Sequence, residues 1–412
     1  MKPKPGLRSD ILCRIMGFFP RRFRRLDEAA DGLLARRPRL ASGLSRYGFL
    51  LLAAFAAFFV AVGAAFPVGR GQEIVYATGE GDVVATQPAT GERTPIHVSD
   101  GLATAPLLNG GSRNLSYTVL RDGEFRGDLY GADLARGTRA LTRTATAGEV
   151  FVHGGYSNDR EWLLASRYSD DARPNVVALT ASGATMQPVE PGPADSPAIL
   201  GPSWTGLNSL YAWRKNGGGL SLTAYNFFEE RQAVVYETEN RVGLPSYNFE
   251  SNTIVFDERP VGADLEESRL TAIAGTAEVE VSGTEGLGVY DPSIPVPELD
   301  YDMAVIWTNG DESGVGLFDP SDWTFEKTGV MMERGSRHPQ LSYDGTYVAT
   351  ANDEGNTITV RRMDDGSVVR RIEGAQPPDV ALAKMREAGL TVPEEAGWLA
   401  PPNFTWRSFE DS

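Results

Sequence analysis

The chain has 412 residues, 41% of them hydrophobic, which is ample for a buried core. Its net charge of −16 divides unevenly: residues 1–47 carry 12 Lys/Arg against 4 Asp/Glu, and the remainder carries 27 against 51. A main body with a balance of −24 repels phosphate backbones, which argues against a nucleic-acid partner. Its lack of cysteine (the single one is Cys13) excludes disulfides and thiolate metal sites there.

Residues 1–47 read as a basic cytoplasmic tail. Ile11 to Arg25 mixes apolar residues such as Ile15, Phe18 and Phe19 with Arg14, Arg21, Arg22, Arg24 and Arg25. That mixture suits a basic amphipathic stretch on anionic lipid. It suits equally a solvated tail that only sets topology, or a site for a cytoplasmic partner. Pro20 breaks any single helix through it.

Between Arg46 and Arg70 there is no charged residue. Residues 48–68, with Phe49, Leu50, Leu51, Leu52, Phe55, Phe58, Phe59 and Val60, are expected to form one transmembrane helix, since about 20 apolar residues span a bilayer. The Lys/Arg excess precedes the span, so the positive-inside rule places the N-terminus in the cytoplasm and the large domain outside. A cleaved signal peptide, with small residues around Gly63, Ala64 and Ala65, is the competing reading. The long leader and the length of the apolar run favour an uncleaved anchor.

After Gly71 short β-branched and aromatic runs recur between Gly, Asp, Asn, Ser and Pro, and no long helical periodicity appears between Gln72 and Glu373. The expected fold is therefore all-β. Six similar units start near 101, 145, 197, 240, 284 and 334, and the period of roughly 40–50 residues is that of a four-stranded propeller blade. Gln72 to Val98 supplies three strands without a leading one, and Asn403-Phe-Thr-Trp-Arg407 resembles a leading strand with nothing after it. Pairing those ends, with Phe404 and Trp406 in the closing strand, completes a seventh blade and removes exposed sheet edges. The expected organisation is a tail, one transmembrane helix and a β-propeller over 72–412. A short helical insertion at 378–389 starts at Pro378 and stops at Gly389. It caps one rim of the ring or serves as a docking element.

The pattern resembles the TolB-like and WD-repeat propellers. The residues that carry the resemblance are Ser342-Tyr-Asp-Gly345, and Asp128-Leu-Tyr-Gly-Ala-Asp-Leu-Ala-Arg-Gly137 followed by Ala140-Leu-Thr142. Most units lack the full turn, and none ends in Trp-Asp. The resemblance implies a propeller over about 300 residues and a part in assembling envelope complexes.

Candidate chemistry is sparse. His97, His153 and His338 fall in different units without paired spacing, which suits strand and loop residues better than a catalytic cluster. Asn352-Asp-Glu-Gly-Asn356 has the composition of a calcium loop without its spaced ligand set, and reads as a hairpin turn. No nucleophile elbow, phosphate loop or dinucleotide fingerprint is present. Asn216-Gly-Gly-Gly219 reads as a hairpin turn, and Trp213 beside it as a residue that could be exposed at a rim. No catalytic, cofactor-binding or metal residue is assigned, and no cofactor is expected. Three functions fit. The first is a non-enzymatic scaffold, held by one helix in the bilayer, that binds a protein or envelope component. The second is an envelope hydrolase or lyase, favoured if several carboxylates, a His and an Arg converge at the ring axis. The third is a sensor signalling through the basic tail.

Overall fold

The computed structural model describes residues 72–408 apart from short stretches between strands, of which 190–196 and 294–301 are the longest. The basic tail and the expected span 48–68, with Phe49 to Leu52, Phe55, Phe58, Phe59 and Val60, lie outside the described residues. Among the described residues no helix is long and apolar enough to cross a membrane.

The described chain is nearly all β. β1 (Gln72–Ala77), β2 (Val83–Thr86) and β3 (Arg93–His97) belong to an antiparallel sheet whose fourth member is the last strand of the chain. Two meanders follow: β4 (Leu102–Leu108), β5 (Asn114–Arg121), β6 (Arg126–Asp133) and β7 (Thr138–Arg143), then β8 (Glu149–Tyr156), β9 (Trp162–Ser169), β10 (Asn175–Thr180) and β11 (Met186–Pro188). They join at one point, where β6 and β8 pair in parallel at Gly127 and Val150. A Cβ on Gly127 would lie 2.5 Å from the Val150 side chain, so glycine is what admits this approach.

Next come β12 (Ile199–Trp204), β13 (Ser209–Asn216), β14 (Gly219–Asn226) and β15 (Arg231–Thr238) in one sheet. β16 (Arg241–Val242) and β17 (Ser246–Asn248) both pair with β18 (Thr253–Arg259), which is followed by β19 (Arg269–Ala274) and β20 (Ala277–Val279). Two further meanders are β21 (Gly288–Tyr290), β22 (Met303–Asn309), β23 (Glu312–Asp319) and β24 (Thr324–Met331), and β25 (Arg337–Leu341), β26 (Tyr347–Ala351), β27 (Thr357–Arg362) and β28 (Val368–Glu373). Helices α1 (Val380–Glu387) and α2 (Glu395–Trp398) precede β29 (Phe404–Ser408).

Burial falls across each sheet. All six residues of β1 and all five of β26 are buried, whereas the trailing strands β3, β15, β20 and β28 are largely exposed. A strand buried on both faces requires a neighbouring sheet on each side, and the apolar clusters supply them. Val75 and Val83 pack with Leu115 and Tyr117 of the following sheet. Val255 and Ala272 pack with Val289, Val305 and Phe318, and Val315 with Leu341 and Val348. The last sheet returns to the first, with Tyr347, Ile358 and Ile372 against Ile74, Tyr76, Phe404 and Trp406. Consecutive small sheets stacked face to face make a propeller-like fold.

Trp213 departs from the expectation of an exposed rim residue. It is fully buried, its Nε1 donates to the Gly243 carbonyl at 3.2 Å, and its ring meets Phe256 edge-on at 5.0 Å. Alternation along β13 places it opposite Leu222 on the covered face, while Asn216 and Gly219 close the β13–β14 turn beyond it.

Candidate functional site

Four of the leading strands share a local irregularity. Ladder register shifts within β4 between Thr104 and Leu107, within β8 between His153 and Gly155, within β12 between Leu200 and Ser203, and within β25 between Arg337 and Gln340. At these bends Ala105, Gly201 and His338 have φ of 50°, 55° and 53°, and Asp291, just past β21, has 60°. Each of these four precedes a proline: Pro106, Pro202, Pro339 and Pro292. Proline has no N–H to give the ladder, so the strand breaks pairing there and turns.

The turn redirects the preceding N–H towards the neighbouring sheet. Ala105 N donates to Asn403 Oδ1 at 2.8 Å, Asp291 N to Asp257 Oδ1 at 3.1 Å, and His338 N to Asp291 Oδ2 at 2.7 Å. Asn403, Asp257 and Asp291 thus clasp the bend of the sheet that follows them. Gly243 permits the Asp257 clasp, because a Cβ there would lie 2.1 Å from Asp257 Oδ1.

The bends converge on a cavity of about 610 Å³, lined by residues of β4, β8, β12, β17, β25 and β29 and by Asp291 to Ser293 after β21. The insertion between β28 and β29 contributes Pro378, Ala381, Leu382, Ala396 and Leu399 to the lining. α1 ends in a left-handed Gly389 (φ 86°), with Gly389 N donating to Arg386 O and Leu390 N to Met385 O. That double bond to the last turn is the Schellman stop, and it folds Leu390 back against Met385 in the apolar cluster.

The lining is mostly apolar and aromatic, with Trp204, Tyr247, Phe249, Tyr343 and Trp406 among its rings. Among the described residues the lining holds one carboxylate, Asp291, one imidazole, His338, and no Lys or Arg. His338 Nδ1 lies 3.4 Å from Asp291 Oδ1, which orients the ring. Burial pushes the Asp291 carboxyl up, but the charge and two hydrogen bonds of His338, helped by Arg337, outweigh it and hold the group at about 2. Asp257 behaves oppositely: burial, then the charge of Asp291, push it up to about 6. Burial and the nearby guanidiniums of Arg259 and Arg337 push Arg241 down to about 10. Among the described residues no three His, Cys, Asp or Glu converge as metal ligands.

The three histidines separate. His97 is buried and shares a hydrogen bond of 2.9 Å between its Nδ1 and the Tyr117 hydroxyl, inside a packed group with Tyr130. His153 sits on β8. His338 is placed with the Asp291 carboxylate on the cavity. The segment 352–356 is a turn between β26 and β27, where Asn352 Oδ1 accepts from Thr357 N. Phe404 pairs with Tyr76 and Trp406 with Ile74 across the β29–β1 ladder. Trp406 also donates its Nε1 to Gln340 O at 2.8 Å, and Gln340 Nε2 donates to Phe404 O. Asp257 and Asp291 were not singled out by sequence pattern, since they stand apart from the acidic runs. The legible signal was the recurrence of Ala105-Pro, Gly201-Pro, Leu244-Pro, Asp291-Pro and His338-Pro at the spacing of the repeats.

No protein-family model matches the chain, and no curated protein matches it. Solved structures do. An oligogalacturonate lyase from Vibrio parahaemolyticus is similar at TM-score 0.52 and 12% identity, over 74% of this chain and 85% of that one. An oligogalacturonate lyase in complex with manganese is similar at 0.54 and 15%, over 82% and 91%. A puromycin-hydrolyzing peptidase from Mycobacterium tuberculosis is similar at 0.53 and 15%, over 76% of this chain and 54% of that one. A TolB from Acinetobacter baumannii is matched at 0.44 and 14%, over 74% and 65%. At these identities the likeness is one of fold, and the fold is that of β-propellers.

Proposed function

We propose that the chain is a membrane-anchored β-propeller of seven four-stranded blades, held outside the cytoplasm by one N-terminal helix, that binds a protein or cell-envelope partner without catalysing a reaction. The observation that carries this reading is the cavity. Seven leading strands (β29, β4, β8, β12, β17, β21 and β25) supply or adjoin its lining, as the inner strands of a ring would at the axis. A concave, mainly apolar site with a few placed polar groups is the usual form of a binding site. The bends that build it are pinned by inter-sheet clasps, so the shape is set before any partner arrives. The positive-inside asymmetry and the uncharged run at 48–68 support the anchor and its orientation.

The test is affinity purification of the full-length chain from gently solubilised membranes, with mass spectrometry of what co-purifies. A reproducible stoichiometric protein partner is expected, and it should be lost from a cavity-filling Ser203→Trp variant. No partner, together with turnover on envelope substrates, overturns the reading.

One observation favours a second reading, an envelope hydrolase or lyase. Asp291 and His338 line the cavity, and Asp257, Arg241 and Arg337 lie within electrostatic reach of Asp291. Carboxylate-oriented imidazoles serve as general bases. The clasp uses Asp291 for backbone support, which explains the same geometry without chemistry.

A further inference from the structure

Cross-strand arginines in two ladders are balanced by carboxylates. β18 and β19 set Arg269 directly opposite Glu258. Where β5 and β6 set Arg121 opposite Arg126, Asp128 lies 2.9 Å from the first and 3.4 Å from the second. The β16–β18 ladder is different. Arg241 stands directly opposite Arg259, and period-two alternation puts both on the face of β18 that carries Asp257. Among the described residues neither makes a hydrogen bond or an ion pair. Like charges directly opposite each other repel. Arg337, which has Asp353 at 3.6 Å, adds to the repulsion at Arg241. Asp257 and Asp291 attract Arg241 less strongly than the two guanidiniums repel it. Their carboxylates accept instead from the N–H groups of Asp291 and His338.

We propose that Arg241 and Arg259 together hold an oxyanion of the phosphate type. Directly opposite residues of an antiparallel ladder have Cα atoms about 4.5–5.5 Å apart, so two guanidinium forks can reach one group. The planar fork matches phosphate oxygens in pairs. Arg241 is steadied for this by Trp398 of α2, whose ring it covers at 5.7 Å. Burial and the neighbouring guanidiniums push Arg241 down to about 10, so an arriving negative charge relieves a strain the folded chain already carries. The balance of −24 on the main body repels anions at long range. Salt screens that field beyond about 8 Å, which leaves the local pair to decide. Neither arginine belongs to the lining of the cavity, so this site is separate from it and does not depend on the partner reading.

The experiment places the full-length chain in zwitterionic nanodiscs and compares sodium phosphate with sodium chloride at matched ionic strength and neutral pH. Calorimetric titration should show saturable phosphate binding, and the melting temperature should rise with phosphate and not with chloride. Arg241→Gln and Arg259→Gln should each weaken phosphate binding by about tenfold and remove that rise. Arg259→Gln should melt no lower than the wild type in chloride, because it relieves a like-charge contact. Arg231→Gln, an exposed arginine beside Glu229, should change neither reading. Discs containing phosphatidylglycerol separate the sources of the anion. A headgroup occupant raises the melting temperature of the wild type, and not of the variants, before phosphate is added, whereas a soluble occupant does not. Equal melting of the wild type in the two salts, a test that needs no variant, overturns the inference, since ionic strength alone then accounts for any effect. Phosphate binding that survives both Arg241→Gln and Arg259→Gln overturns it as well.

Discussion

Asn403 has the most partners at the seam. It is buried, its Oδ1 accepts from Ala105 N and from the Thr104 hydroxyl, and its Nδ2 donates to the carbonyls of Gln376 and Pro377. Gln376 extends the seam by donating from Nε2 to Ala103 O at 3.1 Å. Asn403→Ala strands these groups in the interior and should lower stability by about 2–4 kcal/mol in urea unfolding; a loss under about 1 kcal/mol would mean that water replaces the amide. Asp257 and Asp291 give opposite pH signatures. Asp291, held at about 2, contributes stability that is complete above its unfolded value of about 4 and is lost as pH falls from there to about 2. Asp257, raised to about 6, takes up its proton in the folded chain first, so its contribution is complete below about pH 4 and is lost as pH rises to about 6. Asp257→Asn cannot ionise. Measured against the wild type, it should gain roughly 1–3 kcal/mol in relative stability between pH 4 and pH 7. Identical urea midpoint differences at the two pH values would contradict this.

The insertion between β28 and β29 departs from the repeat, and it belongs to the core. Ala381, Leu382 and Met385 of α1 are buried against residues of several sheets, including Leu200, Trp213 and Phe256. Gly201 lets it approach, since a Cβ there would lie 3.1–3.3 Å from the Leu399 side chain. Lys215 Nζ bonds Glu395 Oε1 at 2.7 Å and ties α2 to β13. Met385→Ala leaves a cavity where the side chain is fully buried and should cost about 2–4 kcal/mol. If global stability holds and only proteolysis within 378–402 accelerates, the insertion is a separately opening unit and not part of the cooperative core.

At the scale of the whole molecule, closure depends on β29. It pairs with β1 over five residues and clasps β25 through Trp406 and Gln340, while Trp406 stacks on Tyr347 at 6.2 Å. Deleting 403–412 uncovers the β1 edge and the fully buried faces of Ile74 and Tyr76. An open edge flanked by apolar surface recruits other chains, so the truncated protein should self-associate, read as a rise in mass by light scattering. A monodisperse, folded truncation would show that the seam latch of Gln376 and the packing on β26 suffice.

Sequence alone determined the local features. The short β-branched and aromatic runs Thr253 to Phe256 and Met303 to Trp307 read as strands because such side chains fit a pleated, packed surface and turn residues bound them. The helix before Gly389 read as a helix because glycine accepts the left-handed stop. The repeat spacing pointed to a propeller-like stack of small sheets. Tertiary structure decided what adjacency in the chain does not encode. Trp213 looked open beside a glycine turn, yet its environment is Phe256 and Gly243 of the next sheet. Asp257, Asp291 and His338 are far apart in sequence and meet only because stacked sheets place successive bends side by side. A carboxylate's role follows from which N–H groups the fold turns towards it, and that depends on backbone bends set by contacts across sheets.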